Sequence, residues 1–221
     1  MSFIHLRVAS AYSFKYGTTQ PRDLVARASE LEMPALALTD RDGLAGAIRF
    51  TAAAVKHGIA PIIGVNLAIR LGDTSGALPR VTVLAHGDGG WRSLVRLITG
   101  LQMNSPDRTP ILTPELLEKF SSYTSQLHLL HGPESPVSQA LITHRFDAAL
   151  TIFNQTRDLF ADHAIECVSH LVPGSGPRST AHAARSLIFA RDNDIDAVLT
   201  NAVRMCLSDS VNCATSNHQP I

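Results

Sequence analysis

Phe3-Ile4-His5-Leu6-Arg7-Val8-Ala9-Ser10 and Met33-Pro34-Ala35-Leu36-Ala37-Leu38-Thr39-Asp40-Arg41-Asp42-Gly43-Leu44 are two apolar runs that each stop abruptly at polar residues. In a β/α fold a strand ends this way at a functional rim, with its apolar part inside and its polar residues at the C-terminal edge. Between the runs, Thr19-Gln20-Pro21-Arg22-Asp23 reads as a helix start with Thr19 as cap. Leu24, Val25, Ala28 and Leu31 then mark one face of a helix over 21–31. Ala35 to Thr39 has the unbroken apolarity of a parallel strand covered on both faces. A second helix is expected over 43–57, closed by Gly58, and a third strand over 59–63. This β-α-β-α-β order predicts a parallel sheet or barrel with right-handed crossovers.

The third strand is expected to continue over 65–69. Arg80 to Ala85 is another strand, either an antiparallel excursion or a continuation of the barrel. Gly87-Asp88-Gly89-Gly90 lacks the Gly-Lys-Ser/Thr ending of a phosphate loop and reads as a turn before a helix over 91–103. Thr113-Pro114-Glu115 caps a short helix. Further strands are expected at 126–130, 165–169 and 196–200, and helices at 135–141, 145–160 and 180–193. The alternation favours an α/β barrel. Residues 1–205 form the domain. Residues 206–221 carry no periodicity and read as an irregular tail, the mark of a truncation or frameshift.

The chain has 221 residues, of which 45% are apolar and 17% charged, and its formal net charge is zero. That balance gives no strong electrostatic footprint for nucleic acid and leaves only a local patch open. No apolar run reaches the roughly 18–20 residues that span a bilayer, and no signal peptide opens the chain. A cytoplasmic protein with no membrane partner is expected. Cys167, Cys206 and Cys213 show no spacing for a disulfide framework or a zinc site.

The opening block through Ser13, the block from Leu24 to Asp40, and Gly58-Ile59-Ala60-Pro61-Ile62-Ile63-Gly64 resemble, in order and spacing, bacterial DNA polymerase III α subunits. Weaker similarity runs through residues 91–99 and ends at Leu199-Thr200-Asn201. The similar region is the polymerase-and-histidinol-phosphatase (PHP) domain of that family. The resemblance implies a distorted (β/α)7 barrel and a parent engaged in DNA replication or in error-prone synthesis during DNA repair. The details around Tyr16-Gly17 and Arg41 to Leu44 lean to the error-prone kind. The family's nucleotidyltransferase palm is not among these residues. Intact members hold Zn, Mn or Mg at the strand ends and hydrolyse phosphoesters or proofread DNA.

The ligand positions carried over from that family fall on Arg7, Ala9, Tyr16, Arg41, Asn66, Ala202 and Arg204, with two further positions near Gly100 and Pro133. Arginine stays charged and has no lone pair to offer a cation, and alanine, glycine and proline offer no ligand. No metal cofactor and no catalytic residue is expected. The partners implied are the rest of the α subunit or accessory replication and repair proteins, with DNA met only through the polymerase part. The alternative is an active metal-dependent phosphoesterase or 3′–5′ exonuclease. Salt bridges, with Asp40 or Asp42 at hand, are the plain role for the arginines, and a retained phosphate or DNA-backbone contact is the other role open to them. Residual candidates are His5, placed on the same side of its strand as Arg7; Asp40, a metal ligand by chemistry but expected to cap the second helix; and His170, following a strand. His86, His128 and His131 read as strand-end or surface residues, and His57 and His163 as helix-end residues.

Overall fold

The computed structural model describes residues 3–71, 76–105, 109–124, 126–157, 159–160 and 162–206. The proposed irregular tail beyond Cys206 lies outside the described residues.

Nine strands and seven helices are described: β1 (Arg7–Val8), α1 (Pro21–Glu30), β2 (Ala35–Arg41), α2 (Ala47–His57), β3 (Ala60–Ile69), β4 (Arg80–Ala85), α3 (Gly87–Asn104), β5 (Ile111–Leu112), α4 (Pro114–Lys119), β6 (Leu127–His131), α5 (Pro136–Ile142), α6 (Phe146–Arg157), β7 (Asp162–Cys167), α7 (Thr180–Asp192), β8 (Ala197–Leu199) and β9 (Ala202–Val203). One sheet runs in the order β2-β3-β4-β6-β7-β8, with β5 added on β3, and β1 pairs with β9 separately. Hydrogen bonds stitch the small pair between the ends of the large sheet. Ala37 N donates to His5 O at 3.0 Å on one side. Leu6 N donates to the Thr200 hydroxyl at 3.0 Å on the other. The sheet therefore curls, and helices pack outside it.

Strict β/α alternation breaks at β4, which runs antiparallel to both β3 and β6. Because β4 pairs antiparallel with β3, of the two options open from the sequence the excursion is the one the fold takes. The reversal places Arg80, the first residue of β4, at the rim where the parallel strands end.

Three apolar clusters fix the sheet. Leu94, Leu97, Ile98 and Leu101 of α3 pack on Leu67, Val83 and Leu129. Leu24, Val25 and Phe50 from α1 and α2 pack on Val8, Leu36 and Leu38. Val137, Leu141, Phe153 and Phe189 from α5, α6 and α7 enclose Ile165. The α3 set follows the helical spacing that places i, i+3 and i+4 on one face.

Several boundaries differ from expectation. β1 has only two residues, because the chain bends at Leu6. The N-cap of α1 is Gln20 rather than Thr19, whose hydroxyl accepts instead from Cys206 N at 2.8 Å. The Gly87–Gly90 stretch forms the first turn of α3. Gly58 closes α2 in the left-handed conformation, as expected (φ 69°), and Thr113 caps α4 by accepting from Leu116 N at 3.4 Å.

Candidate functional site

The C-terminal ends of β1, β2, β6, β7 and β9 meet at one rim, where one carboxylate is surrounded by arginines. Glu134, in the turn between β6 and α5, makes ion pairs with Arg7 (2.8 Å), Arg41 (3.3 Å), Arg204 (3.4 Å) and Arg178. Arg7 comes from β1, Arg41 ends β2, Arg178 lies in the loop before α7 and Arg204 follows β9. The Glu134 backbone is held as well: its carbonyl accepts from Arg80 N at 2.8 Å. Burial works to raise the Glu134 carboxyl, but the charges of Arg7, Arg178, Arg41 and Arg204 outweigh it and hold the group below the usual carboxylate range.

A second carboxylate lies deeper. Glu166 of β7 is fully buried, neither oxygen makes a hydrogen bond, and the Nη1 of Arg7 is 3.8 Å away. Burial pushes its pKa up, against the pull of Arg7. Gly132 makes this arrangement fit, since a Cβ at that position would run into the Glu166 carboxyl. For Arg7, burial works against the charge, but Glu166 and Glu134 prevail and hold its pKa above the ordinary value.

Tyr16 holds the outer arginines. The Arg41 guanidinium carbon sits 3.4 Å, and that of Arg204 4.1 Å, from the Tyr16 ring centroid. The loop carrying Tyr16 is fixed by Asp40. Its carboxylate accepts from Ser10 N at 2.6 Å, from the Ser10 hydroxyl at 2.9 and 3.0 Å, and from the Ser13 hydroxyl at 2.7 Å. Gly17 lets the loop close, because a side chain there would strike the Ser10 carbonyl. Replacing Tyr16 by alanine is expected to cost about 1 kcal/mol, the scale of partly desolvated cation–π contacts. Tyr16→Phe should retain most of it; urea unfolding of the two variants checks this.

The sequence candidates divide clearly. Arg7, Tyr16, Arg41 and Arg204 converge. Ala9 is buried beside them in the chain, and Ala202 is the β9 register partner of Arg7. Asn66 is buried and its Oδ1 accepts from Arg80 Nε at 2.6 Å. Pro133 directly precedes Glu134. Gly100 sits within α3, against the Phe120 ring. His170 reaches the rim: burial lowers its pKa, against a hydrogen bond with Asn201 and with the help of Arg178, Arg204 and Arg7.

Three expectations are corrected. Asp40 does not cap α2, which starts at Ala47 with Gly46 as N-cap and no side-chain cap; its oxygens are taken by the Ser10–Ser13 loop. Asp42 pairs with Arg80 at 2.6 Å, and Arg41 turns to Glu134 instead. His5 does not share the face of Arg7. It lines an outer pocket with Val8, Leu24 and Met33, because strand alternation fails at the bend before β1. Glu134, Arg178 and Glu166 were not foreseen; no local pattern singles them out.

Chemically, the rim offers guanidinium donors, one carboxylate consumed by them and one buried carboxyl group. Among the described residues, no group of three or more His, Cys, Asp or Glu side chains is placed to hold a metal ion.

Solved structures share this fold. An amidohydrolase from Chromobacterium violaceum, whose structure contains sulfate and no metal, aligns with TM-score 0.58 at 14% identity, covering 92% of this chain and 88% of that one. A candidate metal-dependent phosphoesterase from Bifidobacterium adolescentis aligns with TM-score 0.55 at 13% identity and the same coverage. These likenesses define the fold. The PHP domain model matches residues 5–170, and the chain belongs to the PHP domain family. An error-prone DNA polymerase of Corynebacterium efficiens is 40% identical over 124 residues, 55% of this chain and 11% of that protein. A DNA polymerase III α subunit of Buchnera aphidicola is 36% identical over 141 residues, 63% of this chain and 12% of that protein. One from Vibrio cholerae is 26% identical over 209 residues, 94% of this chain and 18% of that protein. The chain thus spans less than a fifth of the length of these relatives. No helix among the described residues is long and apolar enough to cross a membrane.

Proposed function

We propose that this chain is the PHP domain of a DNA polymerase III α-type subunit, a distorted barrel of the (β/α)7 kind, in which an ion-pair network stands where the family's metal ligands would be. Its role is structural: a rigid, cytoplasmic platform for the rest of the subunit or a docking surface for accessory replication and repair proteins. The observation that carries this reading is the grip of four arginines on Glu134. A divalent cation at this rim would meet guanidinium groups that supply only donors and repel it, and a Glu134 carboxylate already engaged. The residues present do not fit a multinuclear metal centre, and no hydrolytic step is derived through one. Nucleotide incorporation would belong to the larger part of the relatives that this chain does not span.

The test is metal analysis of the purified chain for Zn, Mn and Fe, with hydrolysis assays on nitrophenyl phosphate and single-stranded DNA. The expected result is metal well below one equivalent and no EDTA-sensitive cleavage of either substrate. Stoichiometric metal together with EDTA-sensitive hydrolysis would establish the alternative, a phosphoesterase or 3′–5′ exonuclease.

A further inference from the structure

Beside the arginine cluster, an open groove of about 530 Å³ runs between the start of β4, β5 and the turns after β6 and β7. Leu78, Ile111, Pro133 and Pro177 form its apolar walls, and Arg41 and Arg80 contribute its cationic end. Glu134 also lines it, but its carboxylate is shared among four guanidinium groups. We propose that this groove docks a short acidic segment of a partner protein, a carboxylate meeting Arg41 while a neighbouring aliphatic side chain rests on Leu78 and Ile111. The inference rests on the docking role proposed above and names the place and the chemistry of the partner.

Charge complementarity carries the choice of occupant. Five guanidinium groups (Arg7, Arg41, Arg80, Arg178 and Arg204) gather here against the carboxylates of Glu134 and Asp42, the hydroxyl-bound Asp40 and the buried Glu166, whose pKa burial raises. The rim is therefore net positive although the whole chain is neutral. Arg41 is the member that keeps an exposed edge. Its Nη2 reaches Glu134, its Nε is buried without a hydrogen-bond partner, and its side chain is 30% exposed. Arg80, by contrast, spends Nε and Nη2 on Asn66 and Asp42 and holds the groove's floor in place. Burial and the neighbouring Arg80 lower the Arg41 pKa, consistent with an unfilled demand for negative charge. The walls decide between ligand classes. Single-stranded nucleic acid is gripped by aromatic faces that stack bases, whereas these walls are aliphatic and proline-rich, which suits an extended peptide with alternating acidic and aliphatic side chains.

The experiment is fluorescence anisotropy of the full chain with a fluorescein-labelled glutamate–leucine alternating hexapeptide, at low ionic strength with EDTA present. The comparison probes are hexaglutamate, the glutamine–leucine counterpart and a short oligothymidylate. Saturable binding of the alternating peptide is expected, weakened about tenfold or more by Arg41→Gln, by Leu78→Ser and by added salt. Leu78→Ser removes apolar wall without adding a charge to the ion-pair cluster, so it reports on the groove even where Arg41→Gln lowers stability. Absence of saturable binding overturns the proposal. So does equal binding of hexaglutamate or oligothymidylate that is indifferent to Leu78→Ser, since that marks a purely electrostatic or nucleic-acid surface. Metal found at the rim would instead overturn the functional reading, and that measurement is separate from this titration.

Discussion

Glu134→Gln is expected to lower the stability of this domain by about 3 kcal/mol, within the range for removing one partner of a largely buried ion pair. For a chain of this size that corresponds to a fall in melting temperature of roughly 6–12 °C. The reason is asymmetric. The arginines stay charged when their carboxylate goes, and Arg7, with a side chain only 5% exposed, has no water to turn to. Their mutual repulsion is then opposed only by Asp40, Asp42 and whatever charge Glu166 acquires. A second substitution separates this electrostatic account from simple misfolding: Arg178→Gln in the Glu134→Gln background should restore part of the loss, because it removes one unopposed charge. A double variant as unstable as the sum of the two singles would refute the account. The pH dependence has a definite sign too. The folded Glu134 pKa is depressed, so its contribution is complete above the unfolded carboxylate value and is lost as pH falls through the folded value.

The second large effect is acid instability from a histidine that plays no part at the rim. His131, the last residue of β6, is fully buried, 5.2 Å from the Phe153 ring and stacked at 5.9 Å on His163. The Thr156 hydroxyl donates to Phe153 O at 2.8 Å, which leaves its lone pair for an Nε2–H of His131 at 3.4 Å. Burial, with help from His163, pushes the His131 pKa down to about 3. A depressed histidine stabilises the fold only while the unfolded chain is also neutral. Stability is therefore full above about pH 6.5 and falls as pH drops toward 3. From this residue alone, about 2 kcal/mol is lost between pH 7 and pH 5. His5, His170 and His182, all lowered by burial, add in the same direction. Urea midpoints measured across that range should slope accordingly, and His131→Leu should flatten the slope. An unchanged slope in His131→Leu would show that the proton enters elsewhere.

Much of the fold was legible because apolar spacing is a local signal. Leu24, Val25 and Ala28 announced α1, the run from Ala35 announced β2, and Gly58 announced the end of α2. The direction of β4 was open because Arg80 to Ala85 reads equally well in either orientation; only its neighbours decide it. At the rim, Arg7, Tyr16, Arg41 and Arg204 were legible as positions, through resemblance to relatives. Their common partner was not. Glu134 lies 93 residues from Arg41 and 70 from Arg204, and nothing in Gly132-Pro133-Glu134-Ser135 distinguishes it from a surface turn. Asp40 misled because an acidic residue before a helix is so often its cap, while the competing demand of Ser10 and Ser13 comes from the distant loop after β1. His131 does end β6, one of the two readings open for it; its burial was not legible because the α6 layer that covers it is visible only in three dimensions.

The pairing of β1 with β9 sets an order of events during folding. Arg7 lies beside Ala202, and Leu6 N reaches the Thr200 hydroxyl across 194 residues. On the ribosome the first strand emerges long before its neighbour exists, so it must wait until nearly the whole domain has been made. Such distant closure is entropically late and slow. Arg204, two residues past Ala202, arrives with the same strand. Complete encirclement of Glu134 is therefore among the last native contacts to form, and its presence distinguishes a finished domain from a nascent one.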